Sequence, residues 1–223
     1  MSGAVVFDLD GTLVDSAPDI AAAANRMLAD YDHPPLSLPV LTSFVGHGIA
    51  HVVHRVIDNC EFDPSRHAEM SARMLAHYTD CPAALTRPWP GVVPALSALR
   101  DGGYRMGVCT NKYHALSVQI LEALDLAKYF DIVIGGDSLP SRKPDPAPLL
   151  ATFSGLEGAG LVYVGDSEVD AATARAAGMD FALYTKGYRK APLAALPHRF
   201  AFDDFAALPG IVQSLGQPGT TAR

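Results

Sequence analysis

The apolar run Val5-Val6-Phe7 leads straight into Asp8-Leu9-Asp10-Gly11-Thr12. Two carboxylates separated by one residue close the run, and a glycine and a threonine turn the backbone at once. Burying two like charges at a strand end is expensive unless a cation or a catalytic task offsets it. The segment therefore reads as half of an active site. Three more segments carry polar groups directly after apolar or helical stretches: Thr110-Asn111-Lys112, Ser141-Arg142-Lys143-Pro144-Asp145-Pro146 and Gly165-Asp166-Ser167-Glu168-Val169-Asp170. Thr110 brings a hydroxyl and free backbone N–H groups just before a helix, where an anion would bind. Each fragment alone is ordinary turn and N-cap chemistry. Gathered on one sheet edge, two or three carboxylates, a lysine and an N–H-rich loop suit phosphoryl transfer, in which charge on the equatorial oxygens must be neutralised.

The elements that would gather them are visible as alternation. Apolar, β-rich runs recur at residues 4–7, 105–109, 131–134, 161–164 and 181–184, separated by helix-like segments at 94–100, 114–126 and 170–177. The first of these helices stops at Gly102-Gly103 and the last at Gly178, a good C-terminal stop. Continuously apolar strands alternating with helices predict an α/β fold, a doubly wound and mainly parallel sheet covered on both faces. Such sheets bind ligands at the carboxyl ends of their strands. Residues 16–87 break the rhythm. They show helical periodicity at 20–29, 49–57 and 68–78, no convincing strand, and proline-rich joints at His33-Pro34-Pro35 and Arg87-Pro88-Trp89-Pro90-Gly91. The expected organisation is a core of residues 1–15 and 88–216, an inserted all-helical unit of residues 16–87, and a flexible tail at 217–223.

Composition narrows the partners. The 223 residues carry a formal charge of −7, so a basic nucleic-acid surface is not expected. No run approaches the roughly 20 apolar residues of a membrane span, and Asp8 and Asp10 interrupt the first apolar run, against a signal peptide. A cytoplasmic protein, monomeric or homodimeric and acting on a small phosphorylated metabolite, is the expectation. The three cysteines (Cys60, Cys81, Cys109) are scattered without metal-type spacing and suggest no disulfide framework. An acidic protein that binds an anion must supply positive charge locally, from lysine or metal.

In the order of these segments the chain resembles a haloacid dehalogenase superfamily phosphatase. Asp8-Leu9-Asp10-Gly11-Thr12, Thr110, Lys143-Pro144 and Gly165-Asp166 with Asp170 match its four motifs across the whole chain. Within that superfamily it most resembles the phosphoglycolate phosphatases, on Phe44-Val45-Gly46-His47-Gly48, Thr110-Asn111-Lys112 and the Gly165–Asp170 segment. The resemblance implies a Rossmann-like core with a helical cap. It implies that Asp8 attacks phosphorus to give an aspartyl-phosphate, and that Asp10 protonates the leaving alkoxide and later deprotonates water. Gly11 would leave room for substrate, Thr110 and the Asn111 N–H would hold phosphate oxygens, and Lys143 would offset charge on nucleophile and phosphate. Mg²⁺, which prefers a few carboxylates with substrate oxygens and water, would take Asp8, the Asp10 carbonyl and Asp166. Asp170 would join directly or through a second hydrogen-bonded layer. Substrates of related enzymes on this scaffold include sugar phosphates and pyrophosphate, and β-phosphoglucomutase shares it too. A dehalogenase is disfavoured by Asp10. A phospho-accepting receiver domain, which also uses a doubly wound sheet and an acidic site, is disfavoured by the roughly 70 helical residues after the first strand.

Some features invite sharper readings than they support. His47, His51 and His54 recur at helical spacing, but no acidic or thiol ligand nearby completes a zinc shell. His47 is better read as facing the cleft, because Gly46 and Gly48 let this backbone approach substrate. Arg55, Lys112, Arg142 and Arg189 could meet a substrate carboxylate, and Lys112 is favoured because it adjoins the phosphate loop. Trp89 between two prolines reads as a packed joint between core and cap. Hinges are expected near residues 15–18 and 87–91.

Overall fold

The computed structural model describes residues 3–216, so the expected tail at 217–223 lies outside the described residues. Strand β1 (Gly3–Phe7) is followed by a two-residue strand β2 (Val14–Asp15) and four helices, α1 (Ala17–Ala29), α2 (Leu38–Thr42), α3 (Ile49–Cys60) and α4 (His67–Asp80). The chain returns through β3 (Arg87–Pro88) to α5 (Val92–Asp101), β4 (Arg105–Cys109), α6 (His114–Ala123), β5 (Ile132–Ile134) and α7 (Ala147–Ser154). It ends with β6 (Ala159–Gly165), α8 (Glu168–Ala177), β7 (Phe181–Tyr184), β8 (Phe200–Phe202) and α9 (Leu208–Leu215).

The main sheet has six parallel strands in the order β5-β4-β1-β6-β7-β8. Strand β1 is central. The chain builds outward from it through β4 and β5, then crosses back to β6 on its other side. That reversal opens a crevice at the carboxyl ends of β1, β4 and β6, the place where such sheets bind ligands. Period-two alternation along β1 sends Val5 and Phe7 into the apolar layer with Leu96, Leu99 and Val212, and Ala4 and Val6 into the layer with Leu149, Ala171 and Ala174. The sheet is thus covered on both faces, as its continuously apolar strands require.

Helices α1–α4 form an apolar cluster of their own around Met27, Leu28, Val53, Val56, Met70 and Met74, into which Leu116 and Ile120 of α6 also pack. The two chain crossings between this cluster and the sheet run side by side as the antiparallel pair β2–β3, with Val14 opposite Pro88 and Asp15 opposite Arg87. Buried Asp19 ties them together. It accepts from Leu85 N (2.9 Å), Thr86 N (2.7 Å) and the Thr86 hydroxyl (2.6 Å).

Two strands departed from the sequence expectation. The third core strand is one residue shorter than the run at 131–134, and β8 was not anticipated. Both lie at sheet edges and span three residues each, too short for periodicity to register. The pair β2–β3 was also missed, because two residues of long-range pairing leave no local pattern.

Candidate active site

Loop geometry at the end of β1 sets the site. The backbone N–H groups of Thr12, Leu13 and Val14 all converge on the Leu9 carbonyl, at 3.3, 3.0 and 3.1 Å. This tight turn needs φ of 87° at Gly11, a region that favours glycine. A Cβ there would also lie 2.6 Å from Asp166 Oδ2 and 2.8 Å from Tyr188 Cδ2. Gly11→Ala is therefore expected to fold and to lose activity by about 10²-fold, since small displacements of reacting groups are that damaging. Activity within threefold of the parent would show that the close approach is unimportant.

Lys143 lies at the centre of the charged cluster. Its Nζ donates to Asp8 Oδ1, Asp170 Oδ1 and the Tyr163 hydroxyl, each at 2.8 Å, and the side chain is buried. Three donors meet three acceptors, so the ammonium is fully used. Burial works against its charge, but Asp170 and Asp8 outweigh it and raise the lysine above its ordinary range. Tyr163 donates to Asp170 Oδ1 at 2.7 Å. The other oxygen of Asp170 accepts from Ser167 Oγ (2.6 Å) and Ser167 N (3.1 Å), the capping box that opens α8. Burial pushes Asp170 up, yet Lys143, Ser167 and Tyr163 together hold it below the usual carboxylate range.

Asp8 and Asp166 are less well compensated. Burial, with the charge of Asp170 added, pushes Asp8 up to about 7 despite the Lys143 ammonium beside it. Burial, then Asp170 and Asp8, also push Asp166 well up, although Thr12 Oγ1 (2.9 Å) and Tyr188 N (2.6 Å) donate to it. Among the described residues nothing donates to Asp8 Oδ2, and Asp8 lines both cavities of the cleft. One carboxylate oxygen each from Asp8, Asp166 and Asp170 lie within 4.8 Å of one another. Three buried carboxylates thus face a single ammonium. Two unbalanced negative charges on hard oxygen donors fit a small divalent cation.

Asp10 belongs to a separate, balanced pair. Lys112 Nζ bonds its two oxygens at 2.8 and 2.9 Å and sits 4.6 Å from the centre of the Tyr78 ring of α4. Ser16 Oγ donates to the same carboxylate at 2.5 Å. Thr110 is buried, and its oxygen accepts from Lys112 N at 3.2 Å, which leaves its O–H free to donate. Asn111 donates through Nδ2 to the Lys143 carbonyl (3.0 Å) and the Gly46 carbonyl (3.2 Å), tying three loops together.

Two cavities flank Asp8 and Asp10. One is walled by Ile20, Val45, Ile49, Val52 and Tyr78 of the helical layer, with Thr110, Asn111 and Lys112 at its base. The other is lined by His47, Asp166, Ser167, Glu168, Tyr188 and Lys190. Asp8, Asp10, Thr110, Asn111, Lys112, Asp166 and, from the helical layer, His47 thus line these cavities, while Lys143 joins Asp8 to Asp170 behind them and Gly11 packs beside Asp166. Gly48 has φ of 86° and lies so close to the Asn111 carbonyl that a Cβ would sit 3.0 Å from it. Burial, with Lys190 adding, holds His47 below its ordinary range.

Among the other cations that could meet a substrate carboxylate, Arg142 stays beside the cleft, with Nη1 3.9 Å from where a Cβ on Gly48 would lie. Arg55 stacks on Phe44 and Arg189 donates to the Ala191 carbonyl, and neither they nor Arg142 line the two cavities. Trp89 packs against Tyr184 and Tyr188, with ring centres 5.9 and 6.5 Å away. Tyr163, Ser16 and Tyr188 escaped the sequence reading. Tyr163 had one usable signal, a hydroxyl inside an otherwise apolar strand that must find a partner. Ser16 and Tyr188 had none.

The chain's likenesses bear on this arrangement. A family model described as haloacid dehalogenase-like hydrolase matches residues 5–184. A phosphoglycolate phosphatase of Cereibacter sphaeroides is 51% identical over 213 residues, covering 95% of this chain and 98% of the relative. One of Rhodobacter capsulatus is 43% identical over 215 residues, covering 96% and 98%. The crystal structure of a predicted phosphoglycolate phosphatase from Haemophilus somnus superimposes with a TM-score of 0.86 at 31% identity, over 95% of this chain and 98% of that one. With the family model running from β1 through the helical insertion to β7, the chain belongs to the haloacid dehalogenase-like hydrolase family and is an enzyme of that family.

Proposed function

We propose that this protein is a Mg²⁺-dependent phosphomonoesterase that hydrolyses 2-phosphoglycolate to glycolate and phosphate. The observation that carries the reading is Asp8. One of its oxygens is held by Lys143, the other is open to the cleft, and two further buried carboxylates stand beside it. The relatives named phosphoglycolate phosphatase, at up to 51% identity, support the substrate.

In this reading the open oxygen of Asp8 attacks phosphorus and the bond to the leaving oxygen breaks, giving an aspartyl-phosphate. Asp10 enters the cycle protonated, with Lys112 giving up one of its two hydrogen bonds to the carboxyl; it passes that proton to the departing alkoxide and then takes one from water. That water attacks phosphorus, releases phosphate and restores Asp8. Ser16 and Lys112 aim the Asp10 carboxylate throughout. The free Thr110 hydroxyl and the Asn111 N–H hold phosphate oxygens, Gly11 leaves the space they need, and Lys143 offsets charge on Asp8 and the phosphoryl group. Asp8, Asp166 and the Asp10 carbonyl would hold Mg²⁺, with Asp170 orienting from behind. The ion supplies positive charge that stabilises the phosphoryl oxygens. Lys112 at the base of the first cavity and His47 in the lining of the second are the two groups that would meet a carboxylate of the leaving group, each from its own side of Asp10. The helical unit 16–87 closes over the site about hinges near 15–18 and 87–91, and excludes water.

The test is kcat/KM with Mg²⁺ on a panel containing phosphoglycolate, hexose phosphates, pyrophosphate and simple alkyl phosphates. Phosphoglycolate is expected to lead. Chelation is expected to reduce turnover by at least about 10³-fold, restored by added Mg²⁺. A clear preference for another ester would replace the named substrate and leave the phosphatase reading standing. Full activity in chelator would remove the cation from it.

A further inference from the structure

Helix α1 begins without a cap of its own. Ser16 is at its N-cap, yet the Ser16 hydroxyl is turned to Asp10 and caps nothing. The orphan N–H groups of the first turn must find acceptors elsewhere. They find one in Tyr188, far along the chain. Its hydroxyl accepts from Ser16 N at 2.8 Å and from Ala17 N at 2.9 Å, and donates to Asp15 Oδ1 at 2.6 Å. All three partners lie in the segment where the chain leaves the sheet for the helical layer.

The other end of Tyr188 grips the acidic cluster. Its backbone N–H donates to Asp166 Oδ2 at 2.6 Å. Between these two ends the ring has little freedom. One edge passes so close to Gly11 that a Cβ there would lie 2.8 Å from it, and the ring packs edge-on against Trp89, which follows the returning strand β3. Burial, reinforced by the hydrogen bond to Asp15, keeps the phenol protonated, so it serves as donor and acceptor together. One residue, through its backbone N–H at one end and its hydroxyl at the other, therefore spans from a carboxylate of the cluster to the first turn of α1.

We propose that Tyr188 is a positioning residue that couples occupation of the cation site at Asp166 to closure of the helical layer. The inference rests on the Mg²⁺ reading above. A cation drawn to Asp166 fixes the torsion of that carboxylate, hence the place of the Tyr188 N–H, hence the hydroxyl that anchors Ser16 and Ala17. Such coupling is reciprocal: a closed layer must tighten cation binding by the same factor by which the cation favours closure. Ser16 adds a parallel link, because its hydroxyl ties the same turn to Asp10.

The experiment is amide hydrogen exchange by NMR on the full chain, with and without MgCl₂, alongside Mg²⁺ binding by calorimetry. In the parent protein Mg²⁺ is expected to slow exchange at Ser16 and Ala17 by about tenfold. In Tyr188→Phe the two amides should exchange faster and at one rate whether or not Mg²⁺ is present. Mg²⁺ should still bind, with a dissociation constant raised by about the lost protection factor. A Tyr188→Phe protein in which Mg²⁺ still slows these amides tenfold would reduce Tyr188 to a structural clamp and overturn the proposal. So would parent amides indifferent to bound Mg²⁺, a result that needs no variant to fold. If calorimetry detects no Mg²⁺ binding to the parent, the cation reading fails and this inference with it.

Discussion

Asp8→Asn is expected to abolish turnover, by about 10⁴-fold or more, while making the metal-free protein more stable above neutral pH. Loss of the nucleophile removes the covalent route entirely, and groups that act as one unit lose nearly all their effect when one is deleted. The stability gain comes from the same carboxylate. In the folded protein Asp8 holds its proton to about 7, against 3.8 for the exposed group. Between those values the unfolded chain has released a proton that the folded chain keeps, so stability falls as pH rises from about 4 to 7 and stays reduced above. The full effect is on the order of 4 kcal/mol as an upper bound. An amide keeps the hydrogen bond from Lys143 and carries no charge. Calorimetric melting in chelator at pH 5 and pH 8 should show a marked fall in Tm for the parent and a smaller one for Asp8→Asn, with the variant melting higher at pH 8. Mg²⁺ should narrow the difference by neutralising the parent's cluster. Measurable phosphatase activity in the variant would end the nucleophile assignment, and parallel pH profiles would end the electrostatic one.

Lys143→Met should harm both stability and rate. The substitution leaves Asp8 and Asp170 without their shared cation in a buried site, and breaking a buried pair from one side costs about 3–5 kcal/mol. Tyr163 loses a partner too, with its hydroxyl still buried. Turnover should drop by about 10³-fold, because charge developing on the phosphoryl oxygens loses a preorganised cation. Arginine should not rescue it. A planar fork cannot present three donors to acceptors arranged around one nitrogen. A Lys143→Met protein with the parent's Tm and kcat would contradict this account of the cluster.

Much of this arrangement was legible in the sequence because it is local. Continuous apolar runs specified the inner strands β1, β4, β6 and β7, and a strand that ends in Asp-Leu-Asp-Gly-Thr must present its charges where the backbone turns. The helical layer announced itself through 3.6-residue periodicity in α1, α3 and α4. Edge strand β8 and the pair β2–β3 did not, because two or three residues paired at long range carry no pattern of their own.

What Asp8 and Asp10 could do was thus set by residue type and spacing, down to the reaction class. Their different surroundings were not. Asp8 meets Lys143 across 135 positions, from the connection between β5 and α7, and the pairing depends on the sheet order that brings this connection back to the end of β1. Asp10, two residues away, meets different partners, Ser16 and Lys112, and the Lys112 ammonium lies against the Tyr78 ring of the helical layer. Tyr188 reaches both Asp166 and the start of α1 by folding alone. Strand order and side-chain burial decide which charges share a site, and neither is a property of any short stretch of chain. The sequence by itself determined the chemical groups, and only the tertiary structure decided which carboxylate is left with an open oxygen and which is already neutralised.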